Sequence, residues 1–144
     1  MIIDNELVLA EGWDHSVWGS AGTYYGPQII DLTKTKTQVG KPLFLVAKMS
    51  EAAATGTSVN FKLVGSSAPW TDAAGTGGSF SEIAASGAIL TASLTLNARV
   101  WVYRLPEKIE QRYLGLAVTS AESTDFTTGA IDAYLTDEPP LAAY

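Results

Sequence analysis

The chain has 144 residues, with 9 Lys and Arg against 15 Asp and Glu, a net charge of −6, one His and no Cys. These figures exclude disulfides, thiolate metal sites, cysteine nucleophiles and any centre built on two imidazoles, and an acidic balance argues against a nucleic-acid partner. One hydrophobic core suffices at this length, so a single domain over 1–144 is expected, and no apolar run approaches the roughly 18 residues that a membrane span needs.

In chain order, Met1-Ile2-Ile3-Asp4 lacks a basic segment followed by an apolar one, so no signal peptide is expected. The texture that follows is β: Thr occurs 15 times, Val and Ile together 17 times, and 13 Gly with 6 Pro punctuate the runs. Strands are expected near 5–10, 28–32, 43–49, 57–65, 88–96, 99–105, 112–119 and 129–136. Period-two alternation places Val59, Phe61 and Leu63 on one face, as it does Leu114, Leu116 and Val118, and again Ile131, Ala133 and Leu135. Val100-Trp101-Val102-Tyr103 is bulky on both faces, which suits a strand covered on both sides. Helical turns are expected only at 81–85 and at 106–111, the latter opening on Pro106 with Glu107 in its first turn. Eight antiparallel strands joined by polar turns predict an all-β, two-sheet antiparallel sandwich, with a jelly roll among the likeliest forms.

Two connections are longer than turns require. Residues 11–27 hold Trp13, Trp18, Tyr24, Tyr25 and the lone His15; residues 66–86 are rich in Gly, Ala and Ser, with Trp70 and Phe80 set into them. Ordered loops of such length are usually functional, and loop aromatics suit recognition because they bury much area at little entropic cost. The candidate contact residues are therefore Trp13, Trp18, Tyr24, Tyr25, Trp70 and Phe80, with Tyr144 at the end of a tail, 137–144, that Pro139 and Pro140 keep out of a central strand. The competing reading folds the same rings inward as caps on the open ends of the sandwich.

Catalytic and metal chemistry find no foothold in the pattern. His15 lies in a Gly-containing loop with no Gly-x-Ser-x-Gly elbow anywhere, and the segment from Asp72 to Glu82 carries Ala74 and Thr76 where a calcium loop needs oxygen-rich side chains. Gly75-Thr76-Gly77-Gly78 lacks the Lys and helix of a phosphate loop. The expectation is a non-enzyme with no cofactor, no metal, no nucleic-acid partner and no membrane partner.

Charge is unevenly spread along the chain. All basic residues lie between Lys34 and Arg112, which gives sums of −5 for 1–33, +4 for 34–112 and −5 for 113–144. Either this is a solvated surface whose segments happen to differ, or acidic ends meet basic middles within a subunit or across a subunit boundary.

Several phrases in order complete the reading: Ile30-Asp31-Leu32; Gly40-Lys41-Pro42-Leu43-Phe44-Leu45-Val46; Val59-Asn60-Phe61-Lys62-Leu63; Leu105-Pro106; Arg112-Tyr113-Leu114-Gly115-Leu116; and Thr128-Gly129-Ala130-Ile131-Asp132-Ala133-Tyr134-Leu135. Their order and spacing over 1–137 resemble the capsid cement (decoration) proteins of tailed phages, the family typified by the Bordetella podophage cement protein. The resemblance implies a jelly-roll homotrimer, made in the host cytoplasm and seated on the outer surface of the virion. There it would bridge and stabilise the major capsid protein of an HK97-type shell. The aromatic stretch 13–25 is longer than the plain connection expected for that family. The alternative function is a lectin-like jelly roll whose loop aromatics stack on glycans.

Overall fold

The computed structural model describes residues 8–32, 43–106, 109–121 and 125–136. Among the described residues nine strands form in chain order: β1 (Val8–Asp14), β2 (Gly22–Tyr25), β3 (Ile30–Asp31), β4 (Phe44–Ala54), β5 (Ser58–Ser66), β6 (Phe80–Leu90), β7 (Arg99–Arg104), β8 (Tyr113–Ser120) and β9 (Thr128–Thr136). A single helical turn, α1 (His15–Trp18), follows β1, and a 3-10 turn at Thr91–Ser93 follows β6. The strands make two antiparallel sheets, β1-β9-β4-β7 and β2-β8-β5-β6, with β3 also on β8.

The pairing is nested, which gives the jelly-roll path. β1 pairs with β9, β2 and β3 with β8, β4 with β7, and β5 with β6, so the chain wraps as one long folded hairpin. β2 and β3 are one interrupted edge strand: residues 26–29, which include Pro27, lie opposite residues 115–116 of β8. Proline is tolerated there because an edge strand need not donate outward.

The core lies between the sheets. Leu45, Ala47 and Met49 of β4 and Ile131, Ala133 and Leu135 of β9 face Val59, Phe61 and Leu63 of β5 and Leu114, Leu116 and Val118 of β8. All three alternations read from the sequence thus point inward. Trp101 of β7 also enters this cluster. β7 bounds its sheet, however, and Val102 stays half-buried, so the strand is not fully covered on both sides.

Four expectations need correction. The first strand, expected to end near residue 10, runs on to Asp14, and β2 forms inside the stretch expected as loop. The segment expected as a helical turn at 81–85 belongs to β6, which starts at Phe80, while the strand expected at 88–96 ends at Leu90. The cause is bulging. Pairings step from Asn60↔Ala88 to Lys62↔Ala85 and from Leu63↔Ala84 to Val64↔Glu82, so β6 twice carries one residue more than β5. Each extra residue inverts the alternation, which erases the period-two signal. At the first bulge Gly87 takes φ +79°, and the Ser86 hydroxyl accepts from the Phe61 N–H at 3.0 Å. The turn expected at 106–111 and the tail at 137–144 fall partly or wholly outside the described residues.

The connections β1–β2, β4–β5, β6–β7 and β8–β9 gather at one end, as the registers Asp14↔Ala130, Ala54↔Thr128, Ser58↔Leu90 and Gly22↔Ser120 require. Backbone hydrogen bonds knit them together: Phe126 N–H to Gly19 O, Thr127 N–H to Ala54 O, Ala53 N–H to Leu94 O and Thr91 N–H to Thr57 O.

Candidate contact surfaces

The candidate aromatics divide into two groups. Trp13 and Trp18 turn inward and cap the core at the knitted end; Trp18 is 0% exposed. Its Nε1–H donates to the Trp13 carbonyl at 2.6 Å, its ring meets Phe126 at 5.3 Å between centroids, and the Ser120 hydroxyl donates to its carbonyl. Gly129 lets this ring in: a Cβ there would stand 3.0 Å from Trp18 Cη2, at φ +139°. Asp14 starts the turn that carries Trp18, its carboxylate accepting the Ser16 N–H at 2.8 Å. That bond holds the Asp14 carboxyl below its ordinary range. Tyr24 also packs against the core from β2, with its hydroxyl donating to Ala21 O.

The other group assembles on the outer face of the second sheet. Tyr25 follows the inward Tyr24, so alternation points it outward. There it stacks on Phe80 with centroids 3.9 Å apart and planes 11° apart, while Trp70 leans against both rings. Trp70 is buried as well: its indole lies on Gly115, and its Nε1–H donates to Gly26 O at 3.0 Å. The loop after β5 is held in shape by Asp72, which accepts the Thr76 N–H at 3.0 Å and its hydroxyl at 2.8 Å. These bonds, the backbone one first, hold the Asp72 carboxyl below its ordinary value.

The two long connections therefore do meet, but largely through each other. Trp13, Trp18 and Trp70 are corrected from surface contacts to buried rings: the sandwich has an open end and a glycine-lined sheet face to cover, and large apolar rings gain most by covering them. A stacking platform for sugars would need open ring faces, and Tyr25 and Phe80 give one face each to the other. Tyr144 lies outside the described residues.

The surface that sequence reasoning missed is the knitted end. The large hydrophobics that remain exposed among the described residues are Val17 of α1 (40%), Leu90 at the end of β6 (63%) and Leu96 in the β6–β7 connection (59%). All three stand at this one end. Leu90 and Leu96 both fall in the stretch 88–96 that the sequence predicts as strand, and no periodic signal marks them as outward.

Charge pairing is also visible. Arg112 grips Asp31 through two bonds, Nε to Oδ1 at 3.2 Å and an Nη to Oδ2 at 3.1 Å, so a basic middle meets an acidic end within the subunit. The contact raises the Arg112 guanidinium further above its ordinary value. On the outer face of the first sheet, Lys48 of β4 stands opposite Asp132 of β9 and shares a cleft with Asp132 and Glu11.

Comparison with curated proteins gives no match. The profile of a Bordetella phage protein family, Bbp16, matches residues 20–135, which take in β2 and all but the last residue of β9. The chain belongs to the Bbp16 family.

Proposed function

We propose that this protein is a capsid cement protein, which binds the outside of a phage head as a homotrimer and stabilises the shell of the major capsid protein. The observation that carries the reading is membership of a phage protein family by a sandwich whose knitted end carries the exposed side chains Val17, Leu90 and Leu96. Backbone bonds between four connections fix that end before any partner arrives, so little ordering entropy opposes docking. Val17, Leu90 and Leu96 supply exposed apolar area, which marks interaction sites when it gathers in one place. In this reading the knitted end faces the shell, and symmetric repetition adds many weak contacts into firm attachment.

The test is binding of the purified protein to expanded heads assembled without it. Saturable co-sedimentation is expected, together with a higher temperature of head disruption. Protein that stays in the supernatant, with head stability unchanged, refutes the proposal.

A further inference from the structure

Two side chains on the outer face of the first sheet are buried although no described element packs closely over them. Leu45, Ala47 and Met49 of β4 and Ala133 and Leu135 of β9 point into the core, so alternation turns Val46 and Tyr134 outward. The two stand opposite each other in the register, yet Val46 is 1% exposed and Tyr134 6%. Neighbouring strands shield a side chain only from its flanks, so an open sheet face does not hide a tyrosine ring to that degree. Among the described residues, the elements packed closely against β4 and β9 are their partners in the sheet and α1, which meets β9 near Gly129. The second sheet shows what such burial requires. Val64 of β5 points outward and is buried too, and there the Trp70 indole lies across Gly115 opposite it.

The missing cover is centred on β9 and β4. Val8 of β1 and Val102 of β7 continue the row on either side, and both stay half-buried. The best-hidden pair thus lies directly behind the point where β9 ends at Thr136. From that point follow Asp137-Glu138-Pro139-Pro140-Leu141-Ala142-Ala143-Tyr144. Paired prolines stop the ladder of β9 and favour a turn into extended chain, and the four residues after them are apolar. Tyr134 lies two residues back from Thr136, about 7 Å along the strand. Residues 140–144 span about 15 Å when extended, so the reach exceeds the need. Charge agrees as well. Phe44 stands beside Thr136 and Arg104 beside Phe44, which sets an exposed arginine, in no ion pair among the described residues, at the level where the acids Asp137 and Glu138 begin. Residues 1–7 enter instead beside Val8, where the row is less covered.

We infer that residues 137–144 turn back after Thr136 and strap the outer face of the first sheet of their own subunit, with Leu141 and Tyr144 laid on Tyr134 and Val46 and the two acids facing Arg104. The strap takes out of water an apolar row that would otherwise invite indiscriminate association. It leaves the knitted end, with Val17, Leu90 and Leu96, as the apolar surface open to a partner. The contact lies within one subunit and holds whether or not the protein binds heads.

The chain has no cysteine, so Val46→Cys places a single thiol beneath the strap. Its reaction with a soluble disulfide reagent is followed in the full chain under native conditions. Slow reaction is expected, at a rate that does not change with protein concentration. With Leu141→Asp and Tyr144→Asp added, reaction about tenfold faster is expected, because charged side chains do not stay on an apolar seat. Ile2→Asp with Ile3→Asp, added instead, is expected to leave the rate unchanged. Thermal unfolding checks that each variant folds. A second arm keeps Val46 and Tyr134 intact: Val102→Cys with Leu141→Cys, oxidised mildly, is expected to link within one chain, seen as a faster monomer band without reductant. A thiol that reacts quickly beneath the unaltered tail shows an open face, and one that stays slow when the tail is charged shows another cover. Release by the changes at Ile2 and Ile3 assigns the cover to residues 1–7. Protection that grows with concentration, or links that join two chains, assigns it to a neighbour's tail. Any of these results, or a second arm that forms no link, overturns the strap.

Discussion

Replacing Trp18 by Ala separates a ring that caps the core from one that waits for a partner. The indole is fully buried, its Nε1–H holds the Trp13 carbonyl, and its face meets Phe126. Truncating a buried Trp to Ala costs about 3–5 kcal/mol, through lost transfer energy and the cavity left behind. The Trp13 carbonyl, deprived of its donor, adds about 1 kcal/mol unless water enters. Gly129 beside the ring has no side chain with which to refill the gap, so the cost belongs in the upper part of that range. About 5 kcal/mol is expected, seen as a fall in urea midpoint and as a drop in Tm of roughly 10–20 °C for a domain of this size. An exposed contact residue would change stability by no more than about 0.5 kcal/mol. A measured loss below about 1 kcal/mol would refute the assignment of Trp18 to the core.

Three further outcomes follow from other parts of the fold. Gly115→Ala places a methyl 2.3 Å from Trp70 Cη2; the indole must leave the sheet, at a cost of about 1–3 kcal/mol and with a change in near-ultraviolet dichroism that Gly87→Ala does not produce. The Asp72 carboxyl lies below its ordinary value of 3.8 in the folded chain, so its stabilising effect is complete above that pH and is lost as pH falls through the folded value. Hydrogen exchange in residues 71–78 should therefore accelerate on acidification below pH 3.8 in the native protein, and Asp72→Asn should flatten that dependence. Leu90→Asp and Leu96→Asp alter exposed positions and should change folding stability by less than about 0.5 kcal/mol. Each should weaken head binding roughly tenfold, about 1.4 kcal/mol, in co-sedimentation.

Strands β4, β5, β8 and β9 were legible because each buries one face against the other sheet, which enforces alternation at Phe61, Leu116 and Ile131. β6 was not. It lies at the rim of its sheet, where one extra residue at Ile83 and another at Ser86–Gly87 invert the pattern, and where Ala and Ser leave little hydrophobic signal. Such bulges are a common defence of exposed edges, so the strand most in need of them is also the hardest to read. The contact residues failed for a related reason. Composition marks aromatic rings as recognition groups, but it cannot show that Gly115 and Gly129 leave room for Trp70 and Trp18 to lie against the sandwich. The knitted end carries Val17, Leu90 and Leu96 one at a time along the chain, and only the return of four connections to one place makes them a surface. The charge sums of −5, +4 and −5 were legible in one dimension. Register turns part of them into an ordered row, because Asp132, Lys48 and Arg99 come to one level on three neighbouring strands.

The most direct test of the cement role is to add the purified native protein to expanded heads that lack it and to follow head disruption on heating. Saturable occupancy and a rise in the disruption temperature that tracks it are predicted. Heads that melt at the same temperature with and without the protein, none of it sedimenting with them, would contradict that role.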